Sequence, residues 1–235
     1  SVCVTGLVVV DTFSYWSLFG KGVILILIQI GGLGIVSIIT LFMLLFRMKI
    51  TLKSTMLLQD AFNLNSKQGL LKFTIKVIKG TFLIEGIGAF IYSFYYCREY
   101  GLLKGIWFSV FHAVSAFCNA GLDIMGADSL IPYHSNLLMM LNTSFLIIMG
   151  GIGFIVWWDT VEAFRRIRTK KCSIRSAWNG VHLQTKIAIF MTLLLLIGGT
   201  VVIYFLERSN PDTLGNLSEK DRILNAFFQS VTLRT

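Results

Sequence analysis

The sequence is poor in charge and in proline, and its cysteines form no pattern. Only 14% of its 235 residues are charged, against 55% hydrophobic, whereas a soluble domain carries about 25% charged residues. That deficit excludes an ordinary soluble domain. Two prolines in all leave long helices uninterrupted. Cys3, Cys97, Cys118 and Cys172 show no CxxC spacing, and His112, His134 and His182 stand alone. Neither a disulfide framework nor a metal site is indicated. The apolar stretches also lack a paired carboxylate set, a histidine cluster or a nucleophile beside a base, which argues against an enzyme.

What the sequence does have is long apolar runs. Leu18 to Phe46, Thr81 to Cys97 with its flanks, and Leu137 to Trp158 each approach or exceed the roughly 20 residues that cross a hydrocarbon core of about 30 Å. Ile187 to Leu206 is the cleanest, with no charge between Lys186 and Glu207. The expected fold is an all-α polytopic protein in a lipid bilayer.

The net charge of +9 is unevenly spread. Arg47, Lys49, Lys53, Lys67, Lys72, Lys76 and Lys79 separate the first two runs, against one acid, Asp60. Arg165, Arg166, Arg168, Lys170, Lys171, Arg175 and Lys186 separate the third and fourth, with no acid from Arg165 to Lys186. These fourteen of the 21 basic residues are topology signals that put both connections in the cytoplasm, rather than a nucleic-acid surface. Anionic lipid or an acidic partner is a further use of the same charge.

A repeat is visible. Gln29-Ile-Gly-Gly-Leu-Gly-Ile35 recurs as Ile148-Met-Gly-Gly-Ile-Gly-Phe154, each placed at the centre of a long helix. Upstream lie Cys3-Val-Thr-Gly-Leu7 and Cys118-Asn-Ala-Gly-Leu122. A third copy opens near Ile223, where Ala226 to Thr235 parallels Val110 to Asn119. Gly105 to Phe117 is too short to span: 13 residues make roughly 20 Å of helix at about 1.5 Å each. With both basic connections cytoplasmic, it enters and leaves on the outer side as a re-entrant half-helix, followed by irregular backbone over Cys118–Leu122. Such backbone at membrane depth is tolerated where it lines a wet cavity. The helix C-terminus favours a cation, and carbonyl rings can replace the hydration shell of potassium.

Val4-Thr5-Gly6-Leu7 with Asp11, Phe117-Cys118-Asn119-Ala120-Gly121-Leu122, and Gln229-Ser230-Val231-Thr232-Leu233-Arg234-Thr235 resemble the pore segments of the Trk/Ktr/HKT potassium uptake superfamily, most closely its bacterial Ktr-type (KtrB/TrkH-like) membrane subunit. The resemblance implies repeated helix–pore loop–helix units around one pseudo-fourfold pore. Residues 1–47 would hold the filter and inner helix of repeat one. Residues 48–164 would hold a cytoplasmic connection and repeat two, with pore helix 105–117, filter 118–122 and inner helix 137–164. Residues 165–235 would hold a connection and the outer and pore helices of repeat three.

The implied ion-conducting filter is Val4, Thr5, Gly6, Leu7, Cys118, Asn119, Ala120, Gly121, Leu122, Thr232, Leu233, Arg234 and Thr235. Potassium would be held by the carbonyls of Val4, Thr5, Gly6, Asn119, Ala120 and Gly121. The implied activity is potassium uptake across a bacterial cell membrane, with sodium as second or symported ion and no organic cofactor. The implied partners are a second copy of the chain and a cytoplasmic nucleotide-binding regulatory subunit. Asn119-Ala120 stands where a tetrameric potassium channel has Thr-Val. A secondary carrier with broken helices is the alternative function, disfavoured because these repeats run parallel rather than inverted.

Single residues have competing readings. Gly6 and Gly121 are filter glycines or small-residue helix contacts. The glycine clusters at Gly31 and Gly150 suit close packing or a bend. Glu85, the one acid well inside a run, either faces a cavity or partner or snorkels past Lys79. Arg234 is expected to brace the filter from behind by donating to carbonyls. Asp11 and Asp123 concentrate cations at the outer mouth or are plain solvated acids, and Trp157 and Trp158 are interface anchors.

Overall fold

The computed structural model describes residues 2–7, 9–34, 67–126, 128–170 and 173–235. The later part of the first apolar run, the basic residues Arg47, Lys49, Lys53 and Lys171, Asp60 and Cys172 lie outside the described residues. The elements are α1 (Thr12–Tyr15), α2 (Leu18–Leu33), α3 (Lys67–Tyr100), α4 (Leu102–Phe117), α5 (Leu137–Gly151), α6 (Phe154–Lys170), α7 (Ile174–Asn179), α8 (Leu183–Glu207) and α9 (Glu219–Leu233). The chain divides into two compact units, Ser1–Pro132 and Tyr133–Thr235.

In the first unit α3 is a helix turned inside out. Thr74, Val77, Thr81, Glu85, Gly88, Tyr92 and Tyr96 recur every three or four residues and are buried, forming one stripe of a 3.6-residue helix. The large apolar side chains Phe82, Leu83, Ile87, Phe90 and Phe94 point outward. That is the arrangement of a helix whose solvent is hydrocarbon and whose partners are small or polar. The basic residues Lys67 to Lys79 belong to α3 itself, not to a loop.

The inward stripe of α3 seats α4. Gly105 comes so near that a methyl there would lie 2.5 Å from both the Cα and N of Cys97. Beyond that contact, Tyr92 meets the His112 ring edge-on at 4.9 Å and Tyr100 tilts over Phe108 at 4.9 Å. From Phe111 to Cys118 every residue of α4 and its cap is buried. At 16 residues, or about 24 Å, α4 is short of a span.

The second unit repeats this hairpin. α8 runs for 25 residues and is apolar on most of its surface. Arg222 ties the connection to α9 by donating to the carbonyls of Leu214 (3.1 Å) and Gly215 (2.6 Å). Ser218 caps α9, so this helix starts four residues before the Ile223 expected from sequence. α9 packs on α8 and α5, where Asn225 Nδ2 donates to the His134 carbonyl at 3.0 Å.

Among the described residues two helices are long and apolar enough to cross a membrane, Thr74–Tyr100 within α3 and Leu183–Glu207, and α5 with α6 makes a third if the bent pair is one span. That pair corrects one expectation. The single inner helix over 137–164 is two helices meeting at 101°. Gly153 sits at φ 95°, and in the first glycine cluster Gly34 sits at φ 79° as the cap of α2. The third glycine of each cluster therefore ends a helix instead of lying at its centre. The break leaves the carbonyl of Met149 without its helical donor, and Trp157 Nε1 donates to it at 2.9 Å. Trp157 is buried by that role rather than exposed as an anchor.

Candidate functional site

The site is built where α4 ends. Asn119 N donates to Ala116 O at 3.2 Å, and Ala120 N to Ser115 O at 2.9 Å. With Cys118 as the helix cap, this is the paired bonding of a Schellman ending, which requires a left-handed residue just after the cap. Asn119 supplies it at φ 58°, and asparagine tolerates this region better than most residues. Ser115 then reaches further along the loop: its hydroxyl donates to the Leu122 carbonyl and accepts from Leu122 N at 3.1 Å.

Gly121 is again left-handed, at φ 64°, with no positive φ at Ala120 between them. The loop near the N-terminus has the same alternation: Val4 at φ 50° and Gly6 at φ 72°, with no positive φ at Thr5. A backbone that alternates handedness turns successive carbonyls to one side, whereas an extended strand alternates them. For valine, a β-branched residue, positive φ is an outlier that costs about 1–3 kcal/mol, and such strain gathers at functional positions.

The two loops meet. A methyl at Gly6 would lie 3.1 Å from Ala120 O and 3.7 Å from Gly121 Cα; one at Gly121 would lie 3.4 Å from Gly6 Cα. Glycine serves here both for positive φ and for close approach. α2 supports both loops from behind. A methyl on Gly31 would strike the Val2 carbonyl and the Val4 side chain, and one on Gly32 would fall inside the Cys118 side chain. The first two glycines of the cluster thus seat two loops on one helix face, a more specific role than general packing.

Not every expected residue joins this arrangement. Cys118 has helical backbone, φ −73° and ψ −5°, with its side chain directed at Glu85. Leu7 is exposed. Thr232 and Leu233, expected in the filter, are helical, because α9 runs through Leu233 and is capped by Arg234. The parallel to Ala116 and Phe117 already implies this register. The Arg234 guanidinium donates to Thr192 Oγ1 on α8 at 3.0 Å, so its described partner is a hydroxyl in place of the expected carbonyls.

The two acids are both taken up locally. Asp11 caps α1, accepting from Phe13 N (3.1 Å) and Ser14 N (3.0 Å); the Ser14 side chain foremost, then the Phe13 N–H, holds its carboxyl below the usual range. Asp123 accepts from Met125 N at 3.1 Å and from the Ser129 hydroxyl at 2.6 Å. A cap was legible in Asp11-Thr-Phe-Ser14 as an acid opening a helical turn.

Glu85 does not snorkel. It is 4% exposed, and its Oε1 accepts from Gln29 Nε2 at 3.0 Å and lies 3.8 Å from Cys118 Sγ. In the second unit Asp159 on α6 accepts from Thr185 Oγ1 at 2.6 Å and pairs with His182 Nδ1 at 2.8 Å, tying α6 to the start of α8. Sequence reasoning passed over Asp159 because nothing local marks its partners, 23 and 26 residues on.

An all-helical chain with membrane-length helices, a half-length buried helix and irregular loops at its end is the fold of a membrane transporter. The family model of TrkH, described as a cation transport protein, matches residues 1–235, and the chain belongs to that family. Among its relatives are the potassium/sodium uptake protein NtpJ of Enterococcus hirae, 41% identical over 235 residues. The Ktr system potassium uptake proteins B of Bacillus subtilis (38% over 232 residues) and Vibrio alginolyticus (33% over 235) also match. These alignments cover 99–100% of this chain and 49% of each relative, so the chain spans about half the length of the curated relatives it matches.

Proposed function

We propose that the chain forms part of a potassium uptake pathway, in which the carbonyls of Val4, Thr5, Gly6, Asn119, Ala120 and Gly121 strip and coordinate the ion. The observation that carries this reading is the matched alternation of φ at Val4/Gly6 and Asn119/Gly121, in two loops that approach each other through their glycines. The C-terminal end of α4 adds a negative dipole end beside the second loop. Relatives named for potassium and for potassium/sodium uptake support the ion class. Sodium is the second or coupled ion in this reading.

The remaining features follow from the same assignment. The protein is multi-pass in a bacterial cell membrane, pairs with a second copy, and is gated by a cytoplasmic nucleotide-binding subunit. Repeat three contributes Thr235 to its own filter segment, with Arg234 as the cap behind it. A secondary carrier is the second reading, favoured by the 101° break between α5 and α6. The test is potassium and sodium uptake by the full-length protein in cells lacking potassium uptake. Saturable potassium accumulation above vector controls is expected, and its absence overturns the assignment. Counterflow of labelled rubidium against unlabelled potassium faster than net influx would favour the carrier.

A further inference from the structure

Glu85 stands behind the filter loop, on a different helix from any residue assigned to it. Its Oε1 is shared by Gln29 of α2 and Cys118, the cap of α4. Among the described residues its Oε2 has no partner, nor has Thr81 Oγ1 one turn earlier on the same buried stripe, and Glu85 has no basic partner. A carboxyl kept in such a place costs free energy unless its position is used.

The next residue after Cys118 is Asn119, where the left-handed turn into the loop begins. The Cys118 side chain is held on two sides, by Glu85 of α3 and by the bare face of Gly32 on α2. Moving it therefore moves the loop.

A second observation repeats the arrangement. Glu85 lies 15 residues before Tyr100, the end of α3, and Thr192 lies 15 before Glu207, the end of α8. Thr192 also meets the cap of its own short helix, Arg234, at 3.0 Å. The same level of each long helix thus touches the same cap of each short one, with unrelated chemistry.

We infer that Glu85 is a positioning residue for the ion filter, fixing the height and rotation of the Asn119–Gly121 carbonyls through Cys118 and Gln29 without touching the ion. The inference rests on the filter assignment above. A ring of carbonyls discriminates ions by the number and placement of its dipoles, so slackening its anchor changes preference before it abolishes conduction. Acceptor geometry, not charge, is what Cys118 and Gln29 require. Glutamine supplies the same Oε1.

The experiment uses the full-length protein with E85L, E85Q and Q29L, measured for potassium and sodium uptake and for Cys118 labelling by a maleimide after Cys3, Cys97 and Cys172 are changed to serine. E85L is expected to raise the potassium half-saturation several-fold, to narrow the potassium-over-sodium preference at least threefold, and to make Cys118 reactive. E85Q recovers most of the preference and keeps Cys118 protected; Q29L shifts both in the E85L direction, less far. If E85L does not run as a monodisperse species in detergent, Q29L decides alone. Unchanged preference and labelling in the folded variants overturns the proposal, as does an E85Q change as large as that of E85L. Labelling is read without transport, so a wild type that takes up no potassium removes the filter assignment while the positioning of Cys118 is still judged.

Discussion

The two long–short hairpins, α3 with α4 and α8 with α9, reach the same close packing by opposite means. In the first, the glycine is on the short helix: Gly105 lies against the backbone of Cys97 and Tyr96. In the second it is on the long helix: Gly199 lies against Ser230, whose hydroxyl donates to Leu196 O at 2.9 Å. Helices in lipid gain little from excluding water between them, so close approach and polar contacts hold them together. The comparison shows that what must be kept is the missing side chain at the crossing, not the element that lacks it. It also shows an asymmetry, because backbone cannot retreat and a side chain can.

Replacing each glycine tests that asymmetry most severely. G105A places a methyl 2.5 Å from main-chain atoms, at the upper end of the roughly 1–3 kcal/mol cost of overpacking. It should abolish or strongly reduce monodisperse protein in detergent. G199A meets Ser230 Oγ and Cβ instead and should lower the melting temperature by only a few degrees. Adding S230A should recover part of that loss, while no side-chain truncation rescues G105A. Equal losses in the two hairpins would break the comparison.

Following the first hairpin past its cap separates packing from ion handling. G121S adds a Cβ at φ 64°, where among the described residues Gly6 Cα alone lies within reach, at 3.4 Å. Expression and melting should stay near wild type, while the potassium half-saturation rises several-fold and sodium uptake increases. Uptake with unaltered affinity and preference would remove Gly121 from the filter.

The caps differ in chemistry, and T192V sharpens that difference. It removes the hydroxyl that receives the Arg234 guanidinium at 3.0 Å, which should lower stability by roughly 1.5–3 kcal/mol, the range for a bond to a charged donor. T192S should restore it, read as melting temperature in detergent. No recovery in T192S would mean that shape, not the hydrogen bond, decides this contact.

The smallest effect belongs to Asp11. Its folded carboxyl titrates below its unfolded value because Ser14 and Phe13 donate to it. Its contribution is therefore complete above the unfolded value near 3.8 and fades as pH falls through the lower folded one. D11N keeps a capping oxygen and loses the charge. It should leave potassium affinity at neutral pH nearly unchanged and flatten the decline in stability below about pH 4. A clear rise in potassium half-saturation in D11N would restore Asp11 as an attractor of cations at the mouth.

Several of these contacts could be anticipated and others could not. The half-helix was legible because Gly105–Phe117 is apolar yet too short to span, and the repeat placed Gly6 and Gly121 in register. The break after α5 was hidden because an uninterrupted apolar run reads as one span, while left-handed backbone at Gly153 ends a helix whatever its hydropathy. Thr232 and Leu233 were drawn into the filter by likeness of letters, although the parallel Ala116 and Phe117 are helical. The fate of Asp123 and Asp159 depended on which donors came within 3 Å or so, which composition does not encode.

By itself the sequence determined the solvent, the helices and the repeated order, since all three follow from local terms. Apolar length sets what can cross a bilayer, basic clusters bias its orientation, and glycine spacing marks where backbone can turn. Only the tertiary structure decided that Gly31 and Gly32 seat two loops, that Gly6 meets Gly121, and that Glu85 is shared between Gln29 and Cys118. Those are meetings of residues 27 to 115 positions apart. Their energies depend on close approach and on hydrogen-bond partners that exist only once the helices have packed.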